Sequence, residues 1–401
     1  MKHPGRDLPP VDRPRMRTRR AGAAARAAGA LALAAALALG LAGGAAAARE
    51  CAGPGINHLP PPASSDEVLS VVAYNVYLLP SHVRAIPFMG ERFAIAQEER
   101  AARIPPFLAP YDVVILSEAY DDDARALLLD GLRAQGFRHM THILGSACRA
   151  GWSCEKGQVY DQPLGDGDAP RGGEGDGWFA EDGGVLIASK HPIGAASEWV
   201  YDDCVEPDCN AAKGFVYARI DKGARPYHVI GTHAQFGWSP EQRTAKQAQL
   251  RAVRRFIEDE SGIPRSEPVI VGGDFNVLRH EFGSLLDDDT LGVLAPAFPG
   301  HRYTRESQSE WARRGNGYVD YVLAKKGWRE PTRSHNCPMV FRTLYDFEDR
   351  TLFSVVRGED YCDLSDHWAV WGWFDYRDDA GTAPACPLPE FPPRSAPSLR
   401  R

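Results

Sequence analysis

The sequence lacks the motifs that mark several common enzyme classes. Its 401 residues contain no Gly-x-Ser-x-Gly motif and no comparable cysteine motif for a nucleophilic hydrolase. No glycine-rich loop stands between a strand and a helix in the way that dinucleotide binding requires. The chain also has no repeat of fixed period and no heptad pattern, which excludes solenoids and coiled coils. The chemistry must therefore come from polar side chains in another arrangement.

Basic residues are scarce in the part of the chain that we expect in the mature protein. The whole sequence has 46 Lys and Arg against 53 Asp and Glu. Removing residues 1–48, which hold eight basic and two acidic residues, leaves 38 basic and 51 acidic residues, a net charge of −13. Tight binding to duplex DNA needs clustered Lys and Arg that release counterions. We therefore expect no nucleic acid as a partner.

Residues 1–48 have the pattern of an export signal. Several arginines precede an Ala/Leu-rich stretch from Leu31 to Leu41, and Ala46–Ala48 offers small residues for cleavage. Met16 is an alternative start, because the segment before it is proline-rich. The apolar stretch is short for a membrane-spanning helix, so a retained anchor is the weaker alternative. The sequence predicts a protein that is secreted after cleavage of a signal peptide.

The rest of the chain is long enough for one large catalytic domain, which we place at residues 67–378. Residues 49–66 are rich in Pro and Gly and predict a loose leader. Residues 379–401 are proline-rich and predict a mobile tail. Residues 157–177 are rich in Gly and Asp with little apolar content, which predicts a flexible surface insertion.

All eight cysteines lie beyond the export signal. An even number of cysteines in an exported chain indicates disulfide bonds. No close cysteine pair is followed by a histidine pair at zinc-finger spacing, so zinc is disfavoured. Proximity along the chain gives one of many possible connectivities: Cys148/Cys154, Cys204/Cys209, Cys337/Cys362 and Cys51/Cys386.

Strands and helices are interspersed along the predicted domain. The predicted strands are Val68–Tyr74, Val113–Leu116, Gly184–Ser189, Phe215–Ile220, Tyr227–Gly231, Val269–Val271, Tyr318–Ala324 and Trp368–Phe374. The predicted helices are Glu91–Arg103, stopped by Pro105 and Pro106, then Asp123–Ala134 and Pro240–Glu258. Several strands follow one another without a helix between them. This order favours an α+β fold with mixed sheets and flanking helices over a purely parallel sheet.

The most informative segment is the end of the strand that starts at Val269. Two glycines follow the apolar run, and then Asp274 and Asn276 stand two positions apart. Side chains at this spacing share a face of extended backbone, so the two can converge on one point. A carboxylate beside an amide suits a hard cation or a phosphoryl oxygen. The ordinary alternative is an Asx-rich turn that closes the strand.

Polar groups follow four other apolar runs in the same way. Each has an ordinary explanation, such as a turn cap, a helix N-terminus or a buried histidine with a partner. Separate explanations are harder to accept for five such clusters. A sheet gathers its strand ends along one edge, so the five clusters could lie together there. They are Asn75, Glu118, His233, Asp274 with Asn276, and Asp366 with His367.

These residue types fit one reaction. Glu118 can hold a divalent cation, and Asn75 and Asn276 can supply neutral oxygens or donors. His367, with Asp366 beside it, can act as a general base on water. His233 can donate to a phosphoryl oxygen as charge builds there. The implied reaction is metal-assisted attack of water on a phosphoester.

At this point the set resembles the endonuclease/exonuclease/phosphatase superfamily, which has the fold of deoxyribonuclease I. Within it the chain is similar to the secreted bacterial neutral sphingomyelinases over roughly residues 68–375. The strand-end acid, Gly-Asp-x-Asn and Ser-Asp-His motifs are typical of the superfamily. The other matching segments narrow the resemblance to the sphingomyelinases. The matching segments are Ala73–Pro80, Ser117–Tyr120, Glu181–Val185, Lys213–Tyr217, Val229–Gln235, Gly273–Asn276, Tyr318–Tyr321 and Leu364–His367.

The resemblance implies a four-layer α/β/β/α sandwich of two mixed sheets packed face to face. It also implies hydrolysis of sphingomyelin to ceramide and phosphocholine with Mg²⁺, for which Mn²⁺ or Co²⁺ could substitute. The candidate metal ligands are Glu118, Asn75, Asp274, Asn276 and His367.

The resemblance also implies roles for individual side chains. His233 and Asn276 would stabilise the pentacoordinate phosphorus, and Asp274 would assist the leaving ceramide oxygen or its water. Asn75 would help to orient the metal or the phosphate. His367 would be the base tuned by Asp366, with Asp320 as a supporting carboxylate further out.

Asp208 and Lys213 match a further family pattern, in which an Asp five positions before the Lys reaches toward the active site. The ordinary alternative is a surface ion pair on a disulfide loop, worth less than about 1 kcal/mol. The cysteines around Asp208 are not in the family's register, and residues 157–177 have no counterpart in the family.

The haemolytic relatives carry an aromatic β-hairpin that dips into the membrane. Residues 339–356 stand in the corresponding place here and contain Phe341, Leu344, Tyr345, Phe347, Leu352 and Phe353. The alternatives are a bilayer-contacting hairpin and an ordinary buried one.

We expect a monomer whose partner is sphingomyelin in a bilayer. The alternatives are a secreted nuclease of the same fold and a membrane-binding, toxin-like protein with vestigial catalytic residues.

Overall fold

The computed structural model describes residues 65–80, 96–145, 156–164, 181–305, 316–348, 360–378 and 382–387. The predicted signal segment, Cys51, Cys148 and Cys154 lie outside these ranges. Within the described ranges, no helix combines the length and apolar character that crossing a membrane requires.

Fourteen strands and five α-helices are described. The strands are β1 Val68–Leu78, β2 Val113–Ala119, β3 His139–Met140, β4 Val159–Asp161, β5 Leu186–Ser189, β6 Ile193–Val200, β7 Gly214–Lys222, β8 Arg225–His233, β9 Val269–Asp274, β10 Asp320–Ala324, β11 Arg333–Met339, β12 Arg342–Glu348, β13 Asp360–Asp363 and β14 Ala369–Asp375. The helices are α1 Gln97–Arg103, α2 Pro105–Leu108, α3 Asp122–Ala134, α4 Pro240–Arg255 and α5 Gly283–Leu286.

Two six-stranded mixed sheets form the centre of the domain. The first has the strand order β11-β14-β1-β2-β5-β3 and the second β10-β9-β8-β7-β6-β4. Each contains one parallel pair, β1 with β2 and β8 with β9, among antiparallel neighbours. The predicted mixed sheets are confirmed.

Successive side chains of a strand point to opposite faces of its sheet, and this alternation produces the layers of the fold. In β1, Leu69, Val71 and Ala73 point into the core shared with the second sheet, while Val72 and Tyr74 face the helices. α1, α2 and α3 pack on the outer face of the first sheet. α4 packs on the outer face of the second through Leu250 and Val253. The predicted four-layer sandwich is therefore confirmed.

Two predictions about local structure are correct only in part. α1 ends at Arg103 as predicted, but a second helix follows at once, because Pro105 occupies the first turn of α2, where its missing amide donor costs nothing. The predicted insertion 157–177 contains the edge strand β4, which pairs with β6; residues 165–177 of it lie outside the described ranges.

The disulfide predictions are correct for one pair and wrong for two. Cys204 is bonded to Cys209 as predicted, with Cα atoms 5.3 Å apart. Cys337 is bonded to Cys386, not to Cys362, and Cys386 is therefore not available to Cys51. The reason is spatial: Cys337 lies on edge strand β11, and the segment that contains Cys386 returns to it. The predicted tail is thus tied to the first sheet at Cys386.

Candidate active site

Three neighbouring strands of the second sheet place a row of polar side chains at one edge. His233 ends β8, Asp274 ends β9 and Asp320 begins β10, and Asp274 is the register partner of both neighbours. His233 Nε2 lies 3.7 Å from Asp274 Oδ2. All three residues are at most 2% exposed. Strand register therefore assembles half of the site.

The end of β9 and the turn after it need two unusual backbone conformations. Gly273 has φ +135°, and a Cβ there would lie 1.9 Å from the Thr232 carbonyl oxygen. Asn276 has φ +51°; its amide N–H donates to Asp274 Oδ1 at 2.9 Å, and its side-chain Nδ2 donates to the Ala234 carbonyl at 3.1 Å. These bonds fix the Asp274 carboxylate in place.

The first sheet supplies Asn75 and Glu118 from the adjacent parallel strands β1 and β2. Asn75 Nδ2 donates to Glu118 Oε1 at 2.9 Å and to Asp274 Oδ2 at 3.2 Å. The Asn75 amide thus connects the Glu118 carboxylate of the first sheet to the Asp274 carboxylate of the second. The atom that faces both carboxylates is the amide nitrogen, not the amide oxygen. Glu118 has φ +56°, a rare conformation for a residue with a side chain, and such strain concentrates at functional sites.

His367 completes the site from the loop between β13 and β14. Its Nδ1 lies 2.8 Å from Asp320 Oδ2, which leaves Nε2 facing Asp274 Oδ2 at 3.9 Å. Asp366 Oδ1 is 4.0 Å from Nε2 and makes no hydrogen bond with it. The carboxylate that orients His367 is therefore Asp320, which the sequence analysis had placed further out, and not Asp366.

Thr304 and Arg305 belong to the site although no sequence motif marked them. Thr304 Oγ1 accepts the amide N–H groups of Val319 and Asp320 at 3.0 and 3.2 Å, which fixes the start of β10. Arg305 forms a β-bridge with His367, and its Nε lies 3.5 Å from Asp366 Oδ2. Both residues stand in a loop without an apolar run, so the sequence offered no signal for them.

Asp208 and Lys213 form a buried ion pair that reaches the site. Lys213 Nζ is 2.6 Å from Asp208 Oδ2 and 3.1 Å from His233 Nε2. Their side chains are only 11% and 7% exposed. The Cys204–Cys209 disulfide closes the loop that carries Asp208. The geometry is therefore unlike that of a surface ion pair.

Burial and mutual repulsion shift the titration of the carboxylates. Burial, with the nearby Asp366, raises the pKa of Glu118 to about 7. Burial also raises the pKa of Asp320 to about 6. For Asp274, burial is outweighed by His367 and His233, and its pKa is lowered.

The two histidines shift in opposite directions. Burial, helped by the Lys213 ammonium, lowers the pKa of His233 to about 3, so this ring is neutral at pH 7. Burial opposes the charge of His367 as well, but Asp320, Asp366 and Asp274 together outweigh it and raise its pKa to about 10. Two rings close to one carboxylate thus hold different protonation states.

A protein-family model described as the endonuclease/exonuclease/phosphatase family matches residues 72–367, which include every candidate site residue. The chain belongs to this family. Sphingomyelinase C from Leptospira interrogans is 30% identical over 330 residues, covering 78% of this chain and 52% of that protein. The chain therefore spans about half the length of that relative. Sphingomyelinase C from Bacillus cereus is 29% identical over 342 residues, covering 79% of this chain and 88% of the relative.

Solved structures of the same family show the same fold. Sphingomyelinase C from Streptomyces griseocarneus superposes with a TM-score of 0.60 at 29% identity, covering 77% of this chain and 99% of that chain. A beta toxin mutant from Staphylococcus aureus, solved with bound magnesium ions, gives a TM-score of 0.63 at 27% identity and covers the same shares of the two chains.

In this family member the donor groups fit a hard cation. Oxygen and nitrogen atoms of Glu118, His233 and Asp274 lie within 4.8 Å of one another, and so do those of Asp274, Asp320 and His367. The first set is the better cation site, because His367 Nδ1 and Asp320 already bond each other. Converging buried carboxylates need a compensating positive charge, and Glu118, at 18% side-chain exposure, leaves the site open to solvent.

Buried Arg100 on α1 holds the backbone around the site. Its guanidinium donates to the carbonyl oxygens of Val76 and Leu364 at 3.0 Å each and of Tyr77 at 2.7 Å. It thereby connects the end of β1 to the loop that carries His367.

Replacing Arg100 by alanine is expected to lower the free energy of unfolding by about 3–5 kcal/mol, because three buried carbonyls lose their donor. Urea denaturation of the variant measures this. Arg103→Ala, which removes a surface pair with Glu99, is the matched control and should cost less than about 1 kcal/mol. Equal losses in the two variants would contradict the proposed role of Arg100.

Proposed function

We propose that the chain is a secreted, divalent-cation-dependent phosphodiesterase that hydrolyses sphingomyelin to ceramide and phosphocholine. The observation that carries the proposal is the convergence of Glu118, Asp274, His233 and His367 at the facing edges of two sheets. The similarity to sphingomyelinase C from Leptospira interrogans and from Bacillus cereus supports the choice of lipid. The export pattern of residues 1–48 supports secretion.

Glu118 and Asp274 would hold the cation, and Mg²⁺ is the first candidate because oxygen ligands suit it. When bound, the cation supplies Lewis-acid polarisation of the phosphoryl group. Asn75 keeps the two carboxylates together through its bonds at 2.9 and 3.2 Å. We therefore assign Asn75 the role of positioning the ligands.

His367 would take the proton from the attacking water at Nε2. Its Nδ1–H donates to Asp320 at 2.8 Å, which fixes the tautomer and stabilises the imidazolium that forms. The high pKa of His367 is that of the protein without a cation. A divalent charge at Glu118 and Asp274 would disfavour the imidazolium and would lower this pKa toward the range that a base needs.

Lys213 would supply positive charge beside His233. Its ammonium lies 3.1 Å from His233 Nε2 and is held by Asp208. Because His233 is neutral, its Nε2 can accept a hydrogen bond from the Lys213 ammonium. The same ammonium can donate to a phosphoryl oxygen as negative charge builds there. This role replaces the simpler expectation that His233 donates alone.

A hairpin stands at the rim of the site. β12 pairs with β13, which ends at Asp363, directly before the loop that carries His367. Met339 and Phe341 at its base are buried. Leu344, Tyr345 and Phe347 belong to β12, and Leu352 and Phe353 lie outside the described residues. Contact of this hairpin with a bilayer stays a prediction.

The test is release of phosphocholine from sphingomyelin vesicles. We expect turnover that is abolished by EDTA and restored by adding Mg²⁺, since the buried carboxylates need a cation to orient the phosphoryl group. Plasmid nicking in the same buffers tests the nuclease alternative.

Cleavage of DNA without phosphocholine release would refute the proposed function in favour of a nuclease. Vesicle binding that persists in EDTA without any turnover would instead support the toxin-like alternative.

A further inference from the structure

Phe236 is an exposed aromatic residue at the rim of the site. Large apolar side chains that are exposed in the described parts of the chain are Leu127 (42%), Val159 (36%), Leu164 (54%) and Phe236 (43%). Phe236 is the one aromatic ring in this set, and it follows β8 three residues after His233. Single exposed apolar residues are ordinary, so its position is what matters.

A chain of short contacts connects Phe236 to the catalytic centre. Its amide N–H donates to Asp208 Oδ2 at 2.7 Å, and the same oxygen lies 2.6 Å from Lys213 Nζ. Lys213 Nζ in turn is 3.1 Å from His233 Nε2. The Phe236 amide nitrogen is therefore at most 8.4 Å from His233 Nε2.

The loop that carries Phe236 is held on both sides. Gln235 donates from Nε2 to the Val205 and Phe236 carbonyls, both at 3.0 Å, and accepts the Val205 amide at 2.8 Å. The Phe236 ring packs edge-on with Trp238 at 5.2 Å between centroids. Its exposed surface is thus presented in a fixed place.

We propose that the Phe236 ring forms the subsite for the quaternary ammonium group of the substrate. This inference rests on the proposed function, because a choline headgroup carries that cation two carbons from the phosphate oxygen. A quaternary ammonium group cannot donate a hydrogen bond and is recognised by aromatic faces.

The surroundings of Phe236 favour a headgroup over the apolar part of a bilayer. The Asp208 carboxylate is bonded to the Phe236 amide itself, and inserting such a charge into hydrocarbon is costly. Trp238 is partly buried beside the ring, so little apolar area remains for anchoring.

Two soluble substrates test the subsite without any membrane. 4-Nitrophenylphosphocholine and bis(4-nitrophenyl) phosphate both lose nitrophenolate when water attacks phosphorus, but only the first carries the quaternary ammonium group. We expect Phe236→Ala to lower the ratio of kcat/KM for the first over the second by about fivefold to thirtyfold, mainly through KM. Phe236→Trp should retain the ratio. Leu127→Ala, a truncation of equal exposure on α3, is the matched control and should leave it unchanged.

Other outcomes overturn the subsite. An equal loss for both substrates in Phe236→Ala would show a merely structural role. An unchanged ratio with slower hydrolysis of sphingomyelin vesicles would show a bilayer contact instead. If the wild-type enzyme cleaved bis(4-nitrophenyl) phosphate but not the choline ester, the proposed function would fail. Inhibition of bis(4-nitrophenyl) phosphate cleavage by phosphocholine would then test the subsite. Weaker inhibition of Phe236→Ala than of the wild type would support the subsite, and equal inhibition would refute it.

Discussion

Replacing His367 by alanine is expected to lower kcat for sphingomyelin hydrolysis by at least about 10²-fold, because a positioned general base contributes about 10²–10⁴-fold. Asp320→Asn should have an effect of similar order. It replaces the carboxylate that holds His367 Nδ1–H at 2.8 Å by a neutral amide, whose NH2 group can favour the other tautomer of the ring. Phosphocholine release at saturating Mg²⁺ measures both.

Asp366→Asn is the discriminating control for this prediction. Its carboxylate lies 4.0 Å from His367 Nε2 without a hydrogen bond, so the loss should be clearly smaller than for Asp320→Asn. Thermal unfolding midpoints show whether each variant is folded. A larger loss for Asp366→Asn than for Asp320→Asn would return the orienting role to Asp366.

Replacing Glu118 by glutamine is expected to raise the Mg²⁺ concentration for half-maximal activity by at least about 10²-fold. Removing a group that only orients a metal ligand lowers metal affinity by up to about 10²-fold. Glu118 is a proposed ligand itself, so the loss of affinity should be at least that large. Titration of Mg²⁺ into EDTA-treated enzyme, by activity and by calorimetry, measures the change. Glu241→Gln, on the exposed first turn of α4, is the control and should leave the titration unchanged.

The same site predicts a pH dependence. Burial raises the pKa of Glu118 to about 7, and only the ionised carboxylate binds the cation. The apparent Mg²⁺ affinity of the wild type should therefore fall as the pH is lowered from 8 to 6. Unchanged calorimetric affinity over this range, or normal Mg²⁺ affinity in Glu118→Gln, would contradict the assignment of Glu118 as a ligand.

Much of the fold and many site residues could be predicted because their signals are local. β-branched runs that end in polar residues marked Asn75, Glu118, His233 and Asp274, although β1 continues past Asn75 to Leu78. The four-layer sandwich itself was implied by the family resemblance. Strand pairing then brings these residues together over long separations, such as the 199 positions between Asn75 and Asp274.

Elements without a local signal could not be predicted. β6 contains Gly194, Ala195 and Ala196, which have little strand preference, and it forms because β7 pairs with it. β11 contains Pro338, which argues against a central strand but is tolerated at a sheet edge, and among the described strands β14 is the neighbour of β11 in its sheet. Tertiary context decides both.

The roles of site residues were harder to predict than their presence. Asp366 adjoins His367 in sequence, but the side chain that bonds the ring is Asp320, 47 positions earlier. Thr304 acts through one hydroxyl that accepts two backbone amides. Neighbours in sequence are therefore a poor guide to which carboxylate orients a base, because strand register sets that distance.

The central claim is that one cation is held between the carboxylates of the two sheets, within reach of both histidines. The most direct measurement is the anomalous difference map of crystals soaked with Mn²⁺ in place of Mg²⁺. We predict a peak between the carboxylates of Glu118 and Asp274 that disappears in Glu118→Gln. A Mn²⁺ peak elsewhere in the domain, with no density between these two carboxylates, would contradict it.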